Sequence, residues 1–433
     1  MHSLPDEQTK AAPPQAAAPA PSDQPSEPSA ADSATSALAP GNFTFLPPAE
    51  KPTQKAPKGI LFDFNLGCRV TLPAGKWRTR LSDIETGNVL YETESHSVTV
   101  NSAKRYYVPI RIEIWEEDEP FFTHDFNARG QNVLILFPAG TIGDPIAWFP
   151  YAVKFKERHG CKLTIAIAAP LIPLFESVYP DIAFVTHDAV KPEKFYATYR
   201  LGLFFADSDH NWQPCDFRQV GLHRTAGYIL GVDPEETRPK IALAEGGRPF
   251  PEPYVCIAAQ STSQAKYWNN PNGWREIVAH LKDQGYRVLC IDRKPSHGHG
   301  LVWNQIPYGA EDFTGDLPLP ERARLLAHAD FMVGLSSGLS WLAWSVGVPV
   351  VLISGFTHPT NEFETPSRVI NYHACNSCWN DPRFQFDHKD FLWCPRHAGT
   401  ARQFECTRLI TVQQVKRAIE QVPAFADRPH KGP

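Results

Sequence analysis

The chain has 433 residues, 42% of them hydrophobic, with 42 basic and 47 acidic side chains and a formal net charge of −5. That is enough apolar material for two or three cored domains, and the slight acidic excess gives no whole-chain attraction to nucleic acid or anionic lipid. No run approaches a membrane span, and the start MHSLPDEQTKAAPP has no apolar core of a secretory signal, so the sequence predicts a cytoplasmic protein with neither a nucleic-acid nor a membrane partner.

Residues 1–58 are dominated by Ala, Pro and Ser, with too few large apolar groups to offset the entropy of ordering, and read as a disordered leader. Over 59–128 the character changes to short runs with near-alternating apolar residues, separated by Pro-Ala-Gly, Thr-Gly-Asn and Asn-Ser-Ala turns. Strands of this kind close on one another to hide their edges, which predicts a small β-barrel or compact sandwich. From 129 to 240 the segment NVLILFPAG reads as a buried parallel strand, Pro145 to Arg158 as the helix after it, and KLTIAIAAP, a helix-like LIPLFESVYP and DIAFVTH continue the alternation of a Rossmann-like domain. A long Tyr/Phe-rich region then runs to Gly231 with no clear period. A second α/β series occupies 241–370: strand YVCIAA, helix GWREIVAHLKDQG, strand YRVLCID, helix PERARLLAHAD, strand FMVGLSS, helix GLSWLAWSVG and strand VPVVLISG. Residues 371–410 hold a cysteine-rich segment, and 411–433 a closing amphipathic helix and tail. Two such α/β domains leave a cleft between the carboxyl ends of their strands, where open sheets bind ligands.

Cys375 and Cys378 form a Cys-x2-Cys pair, followed by Cys394 after fifteen residues and Cys406 after eleven more. Two sulfurs from one tight turn and two later ones can close a tetrahedral S4 metal site, and the clustering favours this over disulfides or scattered thiols. The sequence does not separate zinc from iron, and His373, His388 or His397 is near enough to replace one sulfur. Four sulfur ligands leave no open position, so the ion is structural.

Three strand-end loops in the α/β domains could carry chemistry. In GTIGDP, Pro145 suits the first helical position and Asp144 its N-cap; a carboxylate there could also accept a proton from a hydroxyl. Lys266 follows the strand YVCIAA and would suit a diphosphate if it lies in the cleft, or else is a solvated surface charge. The turn Ser336-Ser337-Gly338-Leu339 leaves backbone N–H groups free for an anion at a helix start, unless it is simple strand-to-helix packing. Thr357, Asn361 and Glu362 follow the last core strand and could touch a nucleotide or sugar. There is no Gly-x-Gly-x-x-Gly after the first strand and no P-loop, which counts against dinucleotide oxidoreductases and P-loop enzymes. Asp207-Ser208-Asp209 reads as a solvated acidic pair.

The small β module, GTIGDPIA, the Lys266 loop and VGLSSGLSWLAWSVGVPVVLISGF, in this order, and the cysteine segment after them resemble the bacterial autotransporter heptosyltransferases, relatives of the lipopolysaccharide heptosyltransferases. The resemblance runs from about Gly59 to Gln421. It implies a GT-B-type pair of Rossmann-like domains with an N-terminal small β-barrel and a four-cysteine finger holding one structural iron per chain, zinc being the alternative. It implies a homo-oligomer, a dodecamer, that takes heptose from ADP-heptose to serine hydroxyls of an autotransporter passenger, inverting the sugar. On that pattern Asp144 falls at the catalytic position and Lys266 at the donor-binding one. The competing reading is a nucleotide-regulated interaction protein without catalysis.

Overall fold

The computed structural model describes residues 46–428. The leader expectation over 1–45 lies outside them, but its last part is corrected. Gln54–Lys55 form a short antiparallel strand on Leu61–Phe62, and Thr53 donates through Oγ1 to the Phe195 carbonyl at 2.7 Å and through N to Asp63 at 3.0 Å. Backbone pairing orders this stretch where its apolar content alone would not.

The β module does not pair as one closed barrel. Trp77–Asp83, Val89–Ser95, Ile110–Glu116 and Glu119–Asp125 make an antiparallel four-stranded sheet of their own. Leu61–Asn65, Arg69–Thr71 and Thr99–Asn101 instead extend the first α/β sheet. The join is parallel, Leu61–Asn65 against Ala197–Arg200, with Phe64 opposite Ala197 and Asn65 opposite Thr198. The Thr198 hydroxyl donates to Asn65 Oδ1 at 2.6 Å, and the buried Asp63 carboxylate is held by Arg69 and Asn65 Nδ2, so the join is tied by satisfied polar groups as well as by apolar ones.

In the rest of that sheet Asn132–Leu136 lies between Ala197–Arg200 and Lys162–Ala166, with Ala183–Val185 at the edge, all parallel. The helix Gly143–His159 follows Asn132–Leu136. The expected helix at LIPLFESVYP is a 3-10 turn, Ala169–Leu174, because Pro170 and Pro173 remove the donors an α-helix needs. The second sheet is parallel throughout: Glu311–Asp312, Arg287–Cys290, Tyr254–Ile257, Phe331–Leu335, Val350–Ile353, Arg368–Val369 in spatial order. Its four central strands are almost wholly buried, as a sheet covered on both faces requires. The closing helix Val412–Glu420 starts with a capping box between Thr411 and Gln414. No helix among the described residues is long and apolar enough to cross a membrane.

Candidate active site

Two helix starts, one from each α/β sheet, lie against each other. Gly143 opens the helix Gly143–His159 after the first sheet, and Gly338 opens Gly338–Ser345 after the strand Phe331–Leu335 of the second. A Cβ placed on Gly338 would lie 2.9 Å from Ile142 Cβ and 3.1 Å from Gly143 N; one on Gly143 would lie 2.8 Å from Trp341 Cδ1. Both glycines are therefore required by close approach, which aims two helix N-termini, each with unpaired N–H groups and a partial positive charge, at one place.

Asp144 sits beside this junction. The N-cap expectation is corrected: Ile142 already has helical backbone angles, φ −102° and ψ −43°, so Asp144 is the second helical residue and no side chain caps the helix. Pro145 stays in the first turn, where its missing N–H costs nothing. Burial raises the Asp144 pKa above the ordinary carboxylate range, while the Thr141 hydroxyl and the Lys266 charge pull it back. The half-buried Lys266, on the turn Gln264–Lys266, has its ammonium pKa lowered by burial and lifted again by the charges of Asp144 and Glu362. A carboxylate and an ammonium carried by strand-end segments of the two sheets thus act on one another through charge.

The turn Ser336–Leu339 lies at the start of the second helix. The Thr357 hydroxyl donates to Glu362 Oε1 at 2.5 Å and its oxygen lies 3.0 Å from Ser336 Oγ, and Glu362 is ion-paired to Arg368. Thr357, Asn361 and Glu362 are all buried, so this chain of polar groups is a rigid wall. Ser337 Oγ has no partner among the described residues, nor has Gln260 Nε2 at the end of strand Tyr254–Ile257. Buried polar atoms without partners are costly unless something else meets them, which marks both as candidates for a bound ligand. Gln260 was not legible as a site residue; its backbone N–H and that of Ala259 are held by the buried Asp292, whose pKa burial pushes up to about 6. Asp207 is no solvated acid. Its carboxylate takes three backbone N–H groups, from Asn211, Trp212 and Gln213 at 2.8–3.0 Å, and folds the loop around itself.

Cys378 feels the charges of Cys375 and Cys394, and Cys406 those of Cys375, Cys378 and Cys394. Cys378 and Cys406 are each pushed up to about 12, by burial first and then by their sister sulfurs, a strain that a cation among them would reverse. Four such thiols fit a metal that binds thiolate. Among the described residues the one group of three or more ligand atoms within 4.8 Å of one another is Cys375, His397 and Glu405, so the four sulfurs are not drawn up as a closed S4 set. Glu405 is already engaged there by Arg402 at 2.6 and 2.8 Å and by the Cys375 N–H at 3.1 Å. The segment packs a core of its own: Cys378, Trp379, Phe386 and Trp393 cluster with Phe356, Phe217 and Ala265. It touches loops of both sheets.

The family models for glycosyltransferase family 9 (heptosyltransferase) and for the N-terminal domain of glycosyltransferase TibC match residues 146–386 and 56–118. The autotransporter heptosyltransferase BAHTCr of Citrobacter rodentium is 55% identical over 382 residues, 88% of this chain and 93% of its own. The chain belongs to the autotransporter heptosyltransferases of family 9. It is a glycosyltransferase. The crystal structure of TibC from enterotoxigenic E. coli H10407, described as an iron-containing dodecameric glycosyltransferase, is 52% identical with a TM-score of 0.84 and covers 87% of this chain and 99% of that one. A second TibC structure, matching equally well, holds ADP-D-beta-D-heptose. Within this heptosyltransferase family BimC of Burkholderia thailandensis, described as inactive, is 50% identical over 382 residues, 88% of this chain and 90% of its own.

Proposed function

We propose that the chain transfers heptose from ADP-heptose to serine hydroxyls of an autotransporter passenger, in the cytoplasm and with inversion at the anomeric carbon. The observation that carries the reading is the opposition of Asp144 and Lys266 where two helix N-termini converge. Asp144 takes the serine proton as the new oxygen–carbon bond forms, and the bond from the anomeric carbon to the diphosphate breaks on the opposite face. Lys266 and the N–H groups around Ser336, Ser337, Gly338 and Leu339 receive the charge that builds on the departing ADP. The wall of Thr357, Asn361 and Glu362 flanks the donor. The ADP-heptose complex of TibC supports this choice of donor.

Cys375, Cys378, Cys394 and Cys406 would hold one structural iron, with zinc as the alternative; the ion fastens their segment and leaves no open position for sugar or water. The iron and the twelve-subunit assembly described for TibC support a metal and a dodecamer here.

The test is transfer itself: the purified chain, ADP-heptose and a passenger are combined and the passenger is weighed intact. Added heptose masses that vanish with Asp144→Ala are expected. An unchanged passenger with the wild-type chain, the behaviour BimC's description implies, refutes the reading.

A further inference from the structure

The surroundings of Lys266 come largely from the cysteine segment. Gln264 N donates to the Phe391 carbonyl at 2.9 Å and the Ser263 hydroxyl to the same oxygen at 3.3 Å, which moors the Lys266 turn to that segment. The ammonium then stands 5.5 Å from the centre of the Trp379 ring and 5.7 Å from that of Phe356. An aromatic face attracts a cation through its quadrupole without neutralising it. The rings hold the ammonium in place and leave its hydrogens to an anion, while Asp144 and Glu362 act on it through charge. Trp379 is itself fixed. It is buried, its ring meets Phe205 edge-on at 5.4 Å and Phe386 at 5.2 Å, and the next residue, Asn380, donates to the Arg218 carbonyl at 3.1 Å and accepts from His358 N–H at 2.9 Å.

We propose that Trp379 is a positioning residue whose indole face, with Phe356, sets the Lys266 ammonium where the donor diphosphate binds. The cysteine segment is then a working part of the donor site. The inference rests on Lys266 being the diphosphate ligand.

Calorimetric titration of ADP into the metal-loaded protein tests it. Trp379→Leu, which stays apolar and removes the π face, is expected to weaken ADP about tenfold, and Trp379→Phe, which keeps a face, less than about threefold. In a Lys266→Ala background, Trp379→Leu is expected to change the affinity by less than about twofold, because the coupling needs the cation. Phe356→Leu reads the same interaction from the other ring and serves if Trp379→Leu does not fold. If Lys266→Ala leaves ADP binding unchanged, both Lys266 and this inference fall. If Lys266→Ala weakens binding while Trp379→Leu does not, or Trp379→Leu costs the same in both backgrounds, or Trp379→Phe is as weak as Trp379→Leu, the positioning role is overturned and Lys266 stands.

Discussion

Replacing Gly338 by alanine probes whether the two helix starts form a rigid junction. The added Cβ would lie 2.9 Å from Ile142 Cβ, whereas carbon atoms settle at roughly 3.5–4.0 Å, so the helices must part by about 0.6–1 Å. Overpacking of this size costs about 1–3 kcal/mol, and the better helix propensity of alanine returns up to about 1 kcal/mol. The net of about 0–3 kcal/mol moves the melting temperature by no more than several degrees. Catalysis is far more sensitive, because a displacement of about 1 Å between reacting groups can cost about 100-fold. Gly338→Ala is therefore expected to lose about two orders of magnitude in kcat/KM with a nearly normal melting curve. Gly247→Ala, where a Cβ meets nothing within 4 Å, is the control. A Gly338→Ala enzyme with wild-type kcat/KM would refute the reasoning.

Because burial raises the Asp144 pKa, kcat/KM should fall with decreasing pH at an acid limb above the ordinary carboxylate range of about 4; a limb at or below it would remove Asp144 as the base. The same raised pKa means that the ionised carboxylate is a cost to the fold above its unfolded pKa, relieved as pH falls, so Asp144→Asn should lose about 10²–10⁴-fold in rate yet melt no lower at neutral pH. Glu362→Ala leaves the Arg368 guanidinium, 12% exposed, without its partner, and should cost about 3–5 kcal/mol in denaturant unfolding; a loss below about 1 kcal/mol contradicts the wall. If the proposed ion is structural, Cys375→Ser should lose metal by elemental analysis and lower the melting temperature, since binding of a structural metal contributes folding energy; a metal-free variant with unchanged melting speaks against the structural ion.

Much of the α/β framework could be read locally. Strands such as Val350–Ile353 and Phe331–Leu335 are continuous apolar runs bounded by small residues, and buried parallel strands have no other way to look. The strand Ala197–Arg200 was hidden in a Tyr/Phe-rich region without a period, and with it the partner that draws Leu61–Asn65 out of the β module into the first sheet. Strand pairing is a choice between distant segments, and propensity does not carry it. Asp144 was visible as a residue but not as a geometry. Its exact place in the helix depends on the backbone angles of Ile142, which the approach of Gly338 constrains.

The sequence by itself determined the chemistry on offer: a carboxylate at a glycine-flanked loop, a lysine after a strand, a small-residue turn before a helix, and four thiols in one segment. These follow from residue type and short spacing, which the chain fixes covalently. Only the tertiary structure decided which of them meet. Asp144 and Lys266 are 122 positions apart, and the rings around Lys266 come from Phe356 and from the cysteine segment, whose aromatic core draws on Phe217 and Ala265 as well. Such encounters are set by sheet order and by burial of apolar surface across the whole fold, a collective property to which no local stretch of sequence bears witness.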